Sequence, residues 1–328
     1  MSNPVPFQTV VDALLEKGKP FPKKYLPLFS DIDPASLSLL LDAWPRIPSA
    51  RKRTLLSDLE ALLDEDTVVS FEDFARALLA DPDPHVRAGA MRLLYECEDV
   101  KLIPAYEKIL ASDTDAGVRA QAADMLAAYV ILGELEEISA NAHHRAEDAL
   151  LAASHDDDLR VRRKALESLG FSARPEVPGL IEAAYNREDP DWVVSALVAM
   201  GRSNDERWAE PVNRMILSDN RAMRLAAVRA AGELGLAIAR LPLLRLLDEE
   251  DDSQIFSAAI WSLSQIGGED VQAYLENLIA QTDDDDEIEF IEDALANLAF
   301  TEDMANFDLL AFDPDDDLTE IDEDEEEA

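Results

Sequence analysis

Cysteine, glycine, basic residues and long apolar runs are all scarce in this chain of 328 residues. A single cysteine, Cys97, allows no internal disulfide and fits a reducing compartment. Eleven glycines suit helices joined by short turns, and no Gly-rich phosphate loop is present. No stretch approaches the roughly 18 apolar residues of a membrane-spanning helix. The start, Met1-Ser2-Asn3-Pro4, lacks the basic residues and apolar run of a secretion signal. A cytoplasmic location is the expectation.

Basic residues number 29 against 70 acids, a formal net charge of −41. Residues 313–328 hold 11 acids and no base, which leaves −30 on residues 1–312. A polyanion repels phosphate backbones and anionic bilayers, so nucleic acid and membrane surfaces are poor partners. A protein partner remains open, basic proteins included. A solvated, solubilising surface is the simplest account of the charge.

One helical phrase is present in seven copies. It opens on an acid or Asn, with an apolar residue three positions later, usually followed by Arg. Ala comes four residues after the apolar position, and Leu, Met or Ala eight after it. Clear copies start at Asp83, Asp115, Asp158, Asp189, Asn220 and Asp252, and a weak one near Glu287. A period of about 31–35 residues is that of stacked helical hairpins, an α-solenoid.

The opening acid reads as an N-cap, and Pro84 and Pro190 follow at N1, where a missing N–H costs nothing. The trios Val86/Ala90/Leu94, Val118/Ala122/Leu126, Val161/Ala165/Leu169, Trp192/Ala196/Met200, Met223/Ala227/Ala231 and Ile255/Ala259/Leu263 should each face inward. Gly170, Gly201 and Gly232 follow a trio directly, where they can end a helix or admit a close neighbour. Pro104, Pro178, Pro211 and Pro242 mark the first turn of each preceding helix. Between the second and third regular copies the spacing stretches, and the surplus near 130–143 is expected to widen one turn. The expected division is degenerate capping helices over 1–80, regular repeats over 81–312 and a disordered acidic tail over 313–328.

The stretches DPDPHVRAGAMRLL (81–94), DTDAGVRAQAADML (113–126), DLRVRRKALESLG (158–170) and SQIFSAAIWSLSQIG (253–267) resemble HEAT repeats, specifically the short-repeat class that includes phycobilisome-lyase-like subunits. The likeness spans about residues 81–300. It implies an all-α, right-handed superhelix of hairpins. It also implies a ladder joining Arg87, Arg119, Arg162 and Arg224 to acids of neighbouring repeats, interrupted at Val193 and Phe256. Most proteins of this kind are scaffolds, while chromophore lyases of the class act on phycobiliproteins as paired subunits. HEAT-like DNA glycosylases need a cationic groove, the reverse of this charge.

Candidate chemistry is thin. His143 and His144 stand four residues before Glu147 and Asp148, which puts each pair on one helix face. No further helix can be named from sequence to complete a metal site, so a polar helix start is the better account. Asp113-x-Asp115-x-Gly117 departs from a calcium loop at its fifth position. The acidic turns at Glu249–Asp252 and Asp283–Glu287 read as solvated turns carrying N-caps. Cys97 lies among Glu96, Glu98 and Asp99, which oppose a thiolate. No catalytic, cofactor or metal residue is assigned, and an enzyme is not expected.

A surface row is more informative. Six positions past each inward apolar residue come Arg92, Asp124, Glu167, Val198, Arg229 and Trp261. Two positions past come Ala88, Ala120, Arg163, Val194, Leu225 and Ser257. Val194, Val198, Leu225, Arg229 and Trp261 form the candidate protein-binding patch, since Trp and Arg are frequent interface anchors. A non-catalytic scaffold is the leading reading. The alternative is a lyase-like or chaperone subunit that assists modification of a client.

Overall fold

The computed structural model describes residues 5–66 and 68–310. The acidic tail expected at 313–328 lies outside the described residues. Seventeen α-helices and five short 3-10 helices account for the secondary structure, with no strand among the described residues. The chain divides into two compact units, Met1–Ser203 and Asn204–Ala328.

The first unit begins with α1 (Phe7–Leu15), α2 (Pro34–Ala43) and α3 (Ser49–Glu65). Asp33 caps α2 by accepting from the amides of Ala35 and Ser36, with Pro34 at N1. Four hairpins follow. They pair α4 (Glu72–Leu78) with α5 (Pro84–Arg92), α6 (Ile103–Ser112) with α7 (Ala116–Glu134), α8 (Ala140–Ala153) with α9 (Leu159–Leu169), and α10 (Val177–Tyr185) with α11 (Pro190–Arg202). The second unit holds three more: α12 (Ala209–Met215) with α13 (Arg221–Glu233), α14 (Arg240–Glu249) with α15 (Ser253–Ile266), and α16 (Glu269–Ile279) with α17 (Asp285–Leu310). Second helices also pack in succession, α3 to α11 in the first unit and α13, α15 and α17 in the second. This is the all-α solenoid arrangement.

Each element follows from the repeated phrase. Asp83, Asp115, Asp158, Asp189, Asn220 and Asp252 all cap their helices through side-chain oxygens. Each satisfies amides that the first turn leaves free, worth about 1 kcal/mol apiece. Every member of the inward trios is buried except Met223, which is half-exposed at the start of α13. Each enclosed Val or Leu of these rows contributes about 1.5–3 kcal/mol. Pro104, Pro178, Pro211 and Pro242 fall in the first turns of α6, α10, α12 and α14.

Two of the glycines after the trios, Gly170 and Gly232, work by close approach. A Cβ on Gly170 would lie 2.7 Å from the Ala199 carbonyl oxygen, and one on Gly232 would lie 2.7 Å from Ser262 Cα. Neighbouring second helices therefore touch backbone to backbone at these points.

The arginine ladder has a repeating geometry. Arg87 binds both oxygens of Asp113 at 2.7 Å and donates to the Asp81 carbonyl at 2.7 Å. Arg119 does the same with Asp156 at 2.8 Å and the Asp113 carbonyl at 2.9 Å. Arg224 reaches Glu250 and the Ser218 carbonyl at 2.8 and 2.7 Å. Each acceptor acid stands two residues before the next N-cap and also takes that residue's amide hydrogen. The Asp-x-Asp signature is thus a ladder acceptor followed by a cap. At the front of the ladder, buried Asp81 accepts from Trp44 Nε1 at 2.7 Å and lies 3.4 Å from Lys52 Nζ.

Three expectations need correction. Arg162 does not extend the ladder: the acceptor position is Arg187, and Arg162 Nε is buried with no hydrogen-bond partner. Arg187 instead sits 4.1 Å over the Trp192 ring. The weak last copy is capped by Asp284, three residues before Glu287, through the amides of Asp286 and Glu287. The surplus near 130–143 does not widen a turn. It lengthens α7 to 19 residues and α8 to 14, and leaves only 135–139 between them.

Candidate functional site

The candidate binding residues belong to both units. Val194 and Val198 lie on α11 of the first unit, and Leu225, Arg229 and Trp261 lie on α13 and α15 of the second. In both units the face opposite the trios meets solvent, as helical spacing requires. Val194, Val198 and Leu225 are half-buried, Arg229 is exposed, and Trp261 is 41% exposed.

In the second unit Arg229 and Trp261 border a groove of about 520 Å³, whose lining does not include Leu225. Arg229 and Glu233 come from α13, Ser257, Trp261 and Gln265 from α15, and Phe290 from α17. Ser262, which packs against Gly232, also lines the groove and donates to the Val228 carbonyl at 2.8 Å. Ile255, Ala259 and Leu263, on the other side of α15, are fully buried. Trp261 is therefore held on a rigid helix whose far face is core. Phe290 was not among the residues singled out in the sequence. Its place follows from α17 beginning one turn earlier than its repeat phrase suggests.

The corresponding face of the first unit carries a groove of about 500 Å³ with a different character. Glu60, Asp64, Glu96 and Asp124 make it acidic, and Tyr95 on its wall is 64% exposed. Arg92, its one cation, is held by Glu60 at 2.7 Å. Farther along the row, Glu167 accepts from Ser195 Oγ at 2.6 Å and pairs with Lys164 at 2.8 Å. Arg92, Asp124 and Glu167 are thus tied into the fold, while the surface row ends in the exposed Arg229 and Trp261.

The histidine pair divides in space. His143 Nε2 lies 3.5 Å from Glu147 Oε1, as the four-residue spacing suggests. His144 and Asp148 are exposed, and His144 stacks on the His143 ring with centroids 5.9 Å apart. The residue missing from sequence reasoning is Glu134, the last residue of α7, whose Oε1 lies 3.6 Å from His143 Nε2. The lengthened ends of α7 and α8 bring the two together. Gly133 makes room, because a Cβ there would fall 2.1 Å from His143 Cγ.

Cys97 stands near Arg76, whose Nη2 lies 3.3 Å from its sulfur. Burial nevertheless pushes the thiol up, with Glu72 adding to the effect. Thiolate formation is disfavoured as expected, but by burial and Glu72 rather than by Glu96, Glu98 and Asp99, and the Asp99 amide acts the other way. No helix among the described residues is long and apolar enough to cross a membrane.

Residues 212–296 match the family model for HEAT repeats. No curated protein matches the sequence. Among solved structures, the chain is similar to the complex of CpcE and CpcF of phycocyanin lyase from Nostoc sp. PCC7120, at 19% identity and a TM-score of 0.47, over 69% of this chain and 94% of that one. It is also similar to YibA of E. coli, at 17% identity and 0.44, over 86% and 99%. A third likeness is to importin beta, at 12% identity and 0.45, over 92% of this chain and 47% of that one. The family match covers α13 to α16 and most of the hairpin that α17 completes, and the same caps, trios and ladder recur in the hairpins from Asp83 onward. Residues 212–296, in the second unit, thus carry HEAT repeats.

Proposed function

We propose that this chain is a non-catalytic scaffold that binds another protein along the solvent-facing side of its second helices. The observation that carries the reading is the groove of the second unit, with the exposed Trp261 indole and Arg229 beside Phe290. The Trp261 indole is 41% exposed beside Arg229 and Phe290, on a helix whose far face is core, so it offers apolar area that a partner could cover. Trp and Arg are the side chains that most often dominate interface energies. On the first unit, taken by itself, Val194 and Val198 are half-buried apolar side chains, and the acidic groove there favours basic side chains.

The test compares wild type with Trp261→Ala and Val198→Asp in affinity purification, with thermal unfolding measured on each variant. Loss of a partner at unchanged unfolding temperature is the expected result. Retention of every partner by both folded variants would remove this surface from consideration.

A further inference from the structure

We propose that Glu134, His143 and Glu147 form a three-ligand site for a divalent transition-metal ion such as Zn²⁺, joining the end of α7 to the start of α8. The geometry is local to the first unit and independent of the protein-binding reading. Three donor atoms, the His143 Nε2 and one oxygen from each glutamate, all lie within 4.8 Å of one another. Zinc holds nitrogen at about 2.0–2.1 Å and carboxylate oxygen at about 2.0–2.2 Å, so neighbouring donors of a tetrahedral site stand about 3.3–3.5 Å apart. The two distances to His143 Nε2 are 3.6 Å from Glu134 and 3.5 Å from Glu147. A small movement closes them on one ion.

The second observation concerns the imidazole itself. His143 Nε2 is buried and has no hydrogen-bond partner. An unsatisfied buried polar atom costs about 1–3 kcal/mol. If Nε2 carries no hydrogen, its lone pair would face the oxygens of two carboxylates 3.5 and 3.6 Å away, and an ion there would remove the conflict. The ring is also fitted to its place. Gly133 is the one residue type that leaves space for it, since any Cβ would overlap the imidazole. This packing exists because the sequence surplus lengthens α7 to 19 residues and α8 to 14 and leaves only a short turn between them.

The surroundings orient the glutamates. Ser172 Oγ donates to Glu147 Oε1 at 2.5 Å, and the Ala173 amide donates to Glu134 Oε1 at 2.8 Å. Arg174 Nη1 stands 3.5 Å from Glu147 Oε2. Partners of this kind hold ligands in position in metal sites and sharpen affinity. The Glu147 side chain is 2% exposed and that of Glu134 is 31% exposed, so the site is closed on one side and open to water on the other. Water would complete the coordination. A nitrogen donor with two carboxylates favours zinc and its neighbours over calcium or magnesium, which prefer all-oxygen shells.

The test uses the full chain, freed of metal with a chelator and titrated with Zn²⁺ by calorimetry in excess Mg²⁺. The magnesium occupies the diffuse acidic surface. Wild type should bind one Zn²⁺ equivalent with higher affinity than the background. His143→Gln and Glu134→Gln should each weaken that step by about 10-fold or more, while His144→Gln leaves it unchanged. Circular dichroism reports whether each variant is folded. If a variant fails to fold, Zn²⁺ soaked into wild-type crystals decides the matter by anomalous scattering, with a peak within bonding distance of His143 Nε2 expected. Absence of a distinct Zn²⁺ equivalent in wild type, equal affinity in folded His143→Gln, or no anomalous peak at this site overturns the proposal.

Discussion

The ladder offers an internal control that a single deletion cannot. Arg119 and Arg162 occupy the same position in consecutive second helices, four residues past the N-cap. Arg119 makes two bonds to Asp156 and one to a carbonyl, with side chains only 16% and 13% exposed. Arg162 has Arg187 where the acid should be, and its buried Nε is unpartnered. Arg119→Ala strands the Asp156 carboxylate next to Asp158 in a strongly acidic chain. Breaking a fully buried pair from one side costs about 3–5 kcal/mol. Partial access of water lowers this to about 2–3 kcal/mol here. Arg162→Met removes a poorly satisfied cation and keeps the apolar stem, so its effect should lie within about 0.5 kcal/mol of zero or be stabilising.

Urea unfolding followed by circular dichroism measures both variants, and Asp156→Asn completes a double-mutant cycle with Arg119→Ala. The expected coupling is about 1.5–3 kcal/mol. A coupling under about 0.5 kcal/mol, or an Arg162→Met variant as unstable as Arg119→Ala, would refute the reasoning. The cycle also carries a pH signature. The Arg119 hydrogen bonds, followed by the Asp158 amide, hold the Asp156 carboxyl below its usual range against the opposing effect of burial. A lowered native value means the stabilisation is present above the unfolded value, near 3.8, and is lost as pH falls through the native one. The coupling should therefore shrink as the pH falls below about 4.

Other perturbations test separate parts of the structure. Gly232→Ala places a Cβ 2.7 Å from the Ser262 backbone and should cost about 1–3 kcal/mol by overpacking, read as a lower urea midpoint. Asp115→Ala removes the cap that receives the Val118 amide at 3.0 Å and should cost about 1 kcal/mol in the same assay. Asp158 is drawn down to about 2, first by the Arg160 side chain and then by the Arg160 amide. Its contribution is present above the unfolded value near 3.8 and disappears as pH falls toward 2. NMR titration of its carboxyl carbon should show a midpoint well below that of an ordinary aspartate, and an ordinary midpoint would contradict the capped geometry.

Much of the fold was legible because it is written in short-range chemistry. An acid before an apolar series at four-residue spacing specifies both a helix start and a buried stripe, and these recur in each hairpin from Asp83 to Asp252. The break at Arg162 was legible in principle, since residue 187 can be read two positions before the Asp189 cap. Recognising it requires the acceptor's place two residues before the cap, which only the bonded geometry reveals. Glu134 was hidden for another reason. Its approach to His143 depends on how far α7 and α8 each run into the surplus segment, and periodicity is silent there. The patch residues Arg229 and Trp261 were reachable by counting around a helix. Phe290 was not, because its register depends on the Asp284 cap.

The most direct test of the scaffold reading is the change in bound partner when Trp261 alone is replaced by alanine. Quantitative mass spectrometry of material co-purified from native cells should show at least one abundant protein fall by about 10-fold or more, as expected for loss of an interface anchor, at an unchanged unfolding temperature. An identical set of proteins at identical abundance on the folded Trp261→Ala chain would contradict it.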